Sequence, residues 1–456
     1  MTRVDRSRLP DVGPDPPFTF PDVVRHTLAS GLEVRTIEHH SVPVITFVLQ
    51  VDGGSGSDAA GEEGLAAITA DMVDEGTGML SAIEVSDALA RLGAEYDVDV
   101  GADATVFSLT TLTRFADRGA GIFADLLTRP SLRQDDFDRV KQLRLDRLRQ
   151  LKDLPPAVAE RAFLRLLYGT HPYGHLAIGD EASLAGLTLA QVASFHRQRF
   201  IPSRSSLVVG GAMSHDELLV LAEQAFGDWA DEGMLNGAAA AAADIRPADS
   251  GKHIAIVARE GAAQSELRIG HLSARRDTPD YPALIVMNAV LGGQFVSRVN
   301  LKLREEKGYT YGAAAGFDFR RGRGPFTMRT AVETSVTVPA LLEARRQVES
   351  PLHEPVTQRE LDDARNYLRG TFPLRFGAAA PVSATVAGLS VIGLNVEELD
   401  RYRDAVTAVD AAAVTQVALD LSREAERIVV VGDAAQIAEP LRAEGFVVTV
   451  EPAIPA

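Results

Sequence analysis

Polar and apolar residues alternate with a period of two in two distant stretches, ATVFSLTTLTRF (104–115) and GPFTMRTAVETS (324–335). Such alternation predicts half-buried β-strands. Each stretch is followed by a run with helical spacing and then by a long charged helix, DDFDRVKQLRLDRLRQLKD (135–153) and TQRELDDARNYLRGTF (357–372). Later in each half an amphipathic helix, LAQVASFHRQRF or AAAVTQVALDLS, precedes a Val-rich strand, a glycine and another helix. Those runs are RSSLVVGGAMSHDELLVLAEQAFGDW (204–229) and ERIVVVGDAAQIAEPLRAEGF (426–446). The order of elements therefore occurs twice. A unit of roughly 200 residues is too long for a solenoid repeat. The pattern predicts an α+β fold of two homologous lobes, each with antiparallel sheets covered by helices.

Between the halves, GMLNGAAAAAADIRPADSGKH combines a run of alanines with glycine, proline and serine. Its composition predicts a surface connector. The expected division is an extended, Pro-rich leader at 1–20, a first lobe at 21–232, a linker at 233–250 and a second lobe at 251–456.

Composition narrows the function classes. The 456 residues are 46% hydrophobic and 24% charged, as in a soluble globular protein. A formal net charge of -17 opposes binding to phosphate backbones, so nucleic acid is not expected as a partner. Without cysteine there is no disulfide, no thiolate nucleophile and no Cys-ligated zinc. No apolar run approaches the roughly 18 residues of a membrane span. The N-terminal MTRVDRSRLPDVGPDPPFTFP lacks the apolar core of a signal peptide. A cytoplasmic location is the expectation, or a periplasmic one if a leader precedes this sequence.

Several segments carry candidate chemistry. EEGLAAITADMVDEGTG (62–78) reads as a buried helix closed by a glycine turn. Asp71, Asp74 and Glu75 share a face there, at a spacing that could hold a hard cation; a solvated acidic helix end is the preferred reading. His171 and His175 stand four apart in THPYGH, but the intervening Pro172 and Gly174 preclude a helix that would align them. His39 and His40 are expected at a strand end on the surface. In the second half, Arg304 closes an amphipathic helix end, Gly308 suits its cap, and Tyr309-Thr310-Tyr311 is expected to open a strand. An arginine fork and a neutral phenol meeting at one point suit a developing oxyanion. Arg320, Arg321 and Arg323 are read as a solvated basic hairpin tip, and Trp229 as a lobe-packing residue. The small-residue stretch LRFGAAAPVSATVAGLSVIGL (374–394) is read as close helix packing.

Two of these segments together resemble the M16 family of zinc peptidases, the insulinase and mitochondrial processing peptidase clan. The family's first lobe carries a helix of the form G-L-A-H-x-x-E-H-M-x-x-x-G-T. Gly64-Leu65-Ala66, Met72 and Gly76-Thr77 match that frame over residues 64–77. The two zinc histidines would fall on Ala67 and Asp71, and the general-base glutamate on Ala70, so the zinc site is degenerate. Two histidines at i and i+4 grip one ion from one helix face, and a methyl group offers no lone pair. The family's third ligand, a glutamate on a later helix, falls near Asp146 or Arg147. LGGQFVSRVNLKLREEKGYTYGAAAGF (291–317) resembles the family's second-lobe signature, in which an Arg and a Tyr seven apart reach across to the zinc site; here these are Arg304 and Tyr311.

The resemblance implies two lobes arranged as a clamshell of the metallohydrolase type. It also implies a division of labour, because some bacterial members work as pairs in which one subunit keeps zinc and the other supplies Arg and Tyr. This chain fits the second kind: no cofactor of its own, zinc in a partner M16 subunit, and a peptide as substrate. Gly93 to Leu112 resembles the strand on which family members dock peptide by edge pairing. The alternatives are a purely structural or peptide-binding scaffold without a share in catalysis and, for assembly, a homodimer in isolation.

Overall fold

A computed structural model describes residues 13, 17–78, 80–231, 253–422 and 424–452. Strands β1 (Val23–Thr27), β2 (Glu33–Glu38), β3 (Val44–Val51), β4 (Glu95–Val100), β5 (Thr105–Leu112) and β6 (Ser205–Gly211) form one sheet, in the order β1-β2-β6-β3-β5-β4. Strands β7 (His253–Ala258), β8 (Gln264–Leu272), β9 (Ala313–Phe317), β10 (Pro325–Glu333), β11 (Arg427–Gly432) and β12 (Val447–Glu451) form the other, in the order β12-β7-β11-β8-β10-β9. Apart from the outermost strands β1 and β12, the two sheets have the same topology. The expected two-lobed α+β duplication is therefore present at the level of strand order.

The two alternating stretches are β5 and β10. In β5, Thr105, Phe107, Leu109 and Thr111 are buried while the residues between them are half-buried. Not every pairing is antiparallel. β2 pairs in parallel with β6, and β7 with both β11 and β12. β6 and β11 each return to their sheet after a long helical excursion, which is the connection a parallel pair requires.

The first half includes the helices α1 (Leu65–Val73), α2 (Ala82–Leu92), α3 (Ala116–Thr128), α4 (Gln134–Lys152) and α5 (Pro155–Tyr168). The first four and the helices Leu189–Arg199 and His215–Phe226 enclose a core with the first sheet. α5 does not. Pro155 at its first position fixes the start of a new helix directly after α4. Its apolar face, including Val158, Ala159, Ala162, Phe163 and Leu167, then lies on Ala255 and Val257 of β7, Leu272 of β8, and Val429 and Val431 of β11. The second half returns the exchange. The helix Ala379–Val391 lays Val382, Val386 and Ala387 on Ile37, Val48 and Val208 of the first sheet. The small-residue stretch thus packs closely, as expected, but against the opposite lobe.

The basic turn is not a solvated tip. The Arg320 guanidinium is buried over the rings of Tyr168 and Tyr173, 5.4 and 4.8 Å from their centroids, and pairs with Asp318. Arg321 donates its backbone N–H to Asp103 at 2.8 Å, and its side chain bonds Asp52 and the Val391 carbonyl. Tyr168 donates its hydroxyl to the Arg323 carbonyl at 2.8 Å. The β9–β10 turn therefore locks onto its counterpart, the β4–β5 turn, and onto the loop after α5. Two charges that look solvated in the sequence reach across the halves, Arg320 to aromatic faces and Arg321 to a carboxylate, while the Arg323 guanidinium pairs with Glu424 of its own half.

Phe18 and Phe20, the described end of the leader, join an aromatic cluster with Phe372 and Phe376. The linker expected at 233–250 lies outside the described residues. Trp229 packs beside Phe226 at the edge of the first core. No single helix among the described residues is long and apolar enough to cross a membrane.

Phe163 is fully buried between the halves. Phe163→Ala is expected to destabilise the protein by about 3–5 kcal/mol. In urea unfolding followed by Trp229 fluorescence, which reports the first core, the transition should move to lower denaturant although the substitution faces the second sheet. An unmoved Trp229 transition would show that the halves unfold independently.

Candidate functional site

α1 is buried on nearly every side. Asp58 anchors its start, accepting from the Gly64 and Ala66 N–H groups at 2.8 Å each. Burial raises the Asp58 pKa to about 6, against the pull of those two donors and of His175. His175 stands 3.9 Å from Asp58, and its Nδ1 lies 3.0 Å from the Leu176 carbonyl. His171 instead accepts from the Tyr173 N–H and stacks edge-on to that ring. The two histidines are apart in role, as the intervening proline and glycine imply.

Ala67 and Ala70 are buried methyls. Asp71 faces a cation, but that cation is not at either expected position. Arg144 of α4 donates through Nε to Asp71 at 2.6 Å and through Nη2 to the Ala67 carbonyl at 2.8 Å. Asp146 and Arg147 are engaged along their own helix, Asp146 with Gln142 and Arg149, Arg147 with Gln150. The register is set by the apolar stripe of α4. Phe137, Val140 and Leu148 are buried, and Arg144 lies on that stripe while Asp146 and Arg147 lie off it. Arg144 thus holds both backbone and side chain where the family motif places its two histidines. Among the described residues no three His, Asp or Glu side chains are placed to share a metal ion. The donor set does not fit zinc.

The other two acids of the helix end are also accounted for. Glu75 is paired with Arg139 of α4. Asp74 has no such pair, and burial, then the charges of Glu75 and Asp71, raises its pKa to about 6. It opens onto a cavity of about 370 Å³ that Asp71, Glu75, Tyr96 and Asp97 also line. The Tyr96 hydroxyl is buried without a hydrogen-bond partner. Burial, and then the field of Asp74, hold its pKa well above the ordinary phenol value. Tyr96 and Asp97 belong to β4, whose outer edge has no strand partner among the described residues.

In the second half the Arg–Tyr signature is brought together by local backbone geometry. Gly292 is required there, since a Cβ would lie 2.5 Å from the Ala315 nitrogen. Asn300 ties the loop down, donating to the Phe295 carbonyl at 2.7 Å and accepting from the Ala313 N–H at 3.1 Å. Leu301–Glu306 winds as a π-helix, a wide turn found often at functional sites. Gly308, at φ 64°, ends it in the left-handed conformation. Tyr309 packs on the second core, whereas Tyr311 is 89% exposed. The strand opens only at Ala313, so the two tyrosines do not share a strand face as expected. Arg304 and Tyr311 nevertheless meet. The guanidinium lies between two rings, 4.6 Å from the Phe295 centroid and 5.0 Å from that of Tyr311. Arg298 has a different role, forking onto Glu360 at 2.6 and 2.8 Å and lowering the pKa of that carboxyl to about 2. It braces the segment against the helix Gln358–Thr371.

Comparison with known proteins places this geometry. Residues 33–181 match the family model Insulinase (Peptidase family M16), and residues 186–368 match Peptidase M16 inactive domain. The chain belongs to peptidase family M16. It is 25% identical over 346 residues to an uncharacterized zinc protease of Mycobacterium tuberculosis, covering 76% of this chain and 78% of the relative. It is 25% identical over 343 residues to a non-peptidase homolog of Helicobacter pylori, covering 74% and 77%. A crystal structure of a peptidase M16 inactive domain from Pseudomonas fluorescens aligns with a TM-score of 0.83 at 26% identity, over 90% of this chain and 98% of that one. Within M16 the comparisons support an inactive-type member.

Arg144 and Phe295 were not singled out by sequence reasoning. Arg144 had a legible signal, a charge interrupting the apolar stripe of α4. Phe295 had none beyond following a Gly-Gly pair.

Two outcomes are expected. Restoring histidines alone (Ala67→His with Asp71→His) should leave the protein without stoichiometric zinc in elemental analysis. Adding Arg144→Glu should bring zinc to about one per chain, since three donors then converge. Separately, Asp74 carries a folded pKa above its unfolded value. Its contribution to stability is therefore full below about pH 4 and lost as pH rises through about 6. Asp74→Asn should raise Tm relative to the parent at pH 7.5 and leave it unchanged at pH 4.

Proposed function

We propose that this chain is the zinc-free subunit of a two-chain M16 peptidase, supplying Arg304, Tyr311 and a peptide-binding edge to a zinc-bearing partner. One observation carries the reading: Arg304 is held between Phe295 and Tyr311 at an open surface, in a chain whose own metal helix is occupied by arginine. A guanidinium gripped by two π faces is fixed in position; Nε stands 3.3 Å from Glu305, which leaves the two terminal nitrogens as donors. Those donors suit a peptide carbonyl, and the exposed phenol suits the oxygen that becomes negative as that carbonyl is attacked. Phe295 and Val296 beside them are exposed apolar residues, which fits a surface that another subunit covers.

The free edge of β4 fits extended peptide, which would add as a further strand. Beside that edge Asp74 and Asp97, unlike Asp71 and Glu75, are held by no arginine among the described residues, and they favour a basic side chain. A scaffold role without a share in catalysis has its own support. Tyr311 is 89% exposed and its hydroxyl has no hydrogen-bond partner among the described residues, whereas preorganisation is what gives such donors their effect.

The test is reconstitution. The chain is co-purified from its native source, and peptidase activity of the complex is measured with each variant in place. Arg304→Ala and Tyr311→Phe should each lower kcat by about 10²–10³, the usual effect of one oxyanion donor, with assembly intact. Activity unchanged by both substitutions would favour the scaffold.

A further inference from the structure

A cavity of about 530 Å³ lies in the second half, within the size range of small-molecule sites. It shares no lining residue with the α1 region or the Arg304 segment. Its walls come from the start of the helix Tyr281–Leu291, the turn Pro373–Phe376, the helix Ala379–Val391 and the helix Glu397–Ala408. Tyr281, Phe372, Phe376 and Tyr402 make the wall aromatic, with Phe372 and Tyr402 stacked at 4.3 Å.

Charge sets this cavity apart in a chain of net charge -17. Arg276, Arg375 and Arg401 line it, against Asp277 and Glu398. Asp277 is already engaged by Arg275 at 3.0 Å, and Glu398 stands 3.9 Å from Arg401. Arg276 rests on the Tyr281 ring, 3.3 Å from its centroid. Neither Arg276 nor Arg375 has a carboxylate partner among the described residues. Burial, and then Tyr281, push the Tyr402 phenol up to about 12, against the pull of Arg375 and Arg276. Two guanidinium groups and a phenol therefore line one space.

A second observation is independent of charge. Gly388 lies inside the helix Ala379–Val391, where glycine is less favourable than alanine by about 1 kcal/mol. No backbone contact demands it, because a Cβ there would meet nothing within 4 Å. The space it leaves is this cavity. A helix that presses its opposite face onto the first sheet omits the one side chain that would fill the hollow.

We propose that this cavity binds a small organic anion with an apolar body, an aryl or acyl carboxylate. The ring or chain lies among Phe372, Tyr402 and Leu389, and the carboxylate meets Arg276, Arg375 and the Tyr402 hydroxyl. The probe is 2-naphthoate, with 2-naphthamide as its uncharged counterpart, titrated calorimetrically into the full chain. The naphthoate should bind at least about tenfold more tightly than the amide, the worth of one charge-assisted contact. Arg375→Gln, at an exposed position, should erase that preference. Gly388→Leu should abolish binding of both probes while raising Tm. No saturable binding of 2-naphthoate by the parent protein, or equal binding of naphthoate and naphthamide, overturns the proposal. So does undiminished binding to a folded Gly388→Leu variant. Should Gly388→Leu fail to fold, the Arg375→Gln comparison still decides.

Discussion

Each sheet of this protein is covered on one face by a helix that belongs to the other half of the chain. α5 seals the second sheet and Ala379–Val391 seals the first. An apolar sheet face left bare would cost its buried area again, roughly 25 cal/mol for each Å², so neither lobe is complete alone. The exchange fixes the mutual placement of the two halves before any polar contact is made. The Arg320–Arg321 turn, which pairs with Asp318, Asp52 and Asp103, then sets the fine register on that apolar base. Any surface built from elements of both halves inherits its geometry from these two helices.

The same logic of satisfied groups explains how an M16 helix persists without its metal. Removing two ligands from a buried helix face leaves a gap next to α4 and a backbone carbonyl near it. Arg144 occupies that region with a fork that bonds Asp71 and the Ala67 carbonyl together. A guanidinium is always charged, so Asp71 is retained as its counter-ion, and neither group is orphaned. The arrangement satisfies the helix locally, with one guanidinium bonded to both a side-chain carboxylate and a backbone carbonyl.

Much of the architecture was legible in the sequence because it follows from periodicity. The period-two runs became β5 and β10, and the repeated strand–glycine–helix units became β6 and β11 with their following helices. That Ala67 and Ala70 carry no ligating group is a fact of the sequence itself, and the structure adds that both methyls are buried. What escaped was whatever depends on contacts between distant segments. The partner of Asp71 turned on the helical register of α4, which one residue of uncertainty rotates by about 100°. The basic turn reads as solvated because its carboxylate and aromatic partners lie about 150 residues or more away in the chain, at Asp52, Asp103, Tyr168 and Tyr173. The placement of Tyr311 failed for a local reason: the π-turn and Gly308 delay the strand to Ala313, leaving one tyrosine in the core and the other in solvent.

That delay is itself informative. A regular helix running directly into a strand would give Tyr309 and Tyr311 the same face and bury or expose both. The widened turn and the left-handed glycine separate them, so that Tyr309 secures the segment to the second core and Tyr311 is free to lie against Arg304. Arg298, clamped bidentately on Glu360, holds the base of the same segment. A rigid base and a widened turn set the guanidinium against two aromatic rings and a single carboxylate contact, from Nε to Glu305 at 3.3 Å. Packing alone would be served equally well by a buried aliphatic side chain and a closed ion pair. The same segment carries Phe295 and Val296 exposed beside Arg304, the composition on which the proposed subunit contact rests.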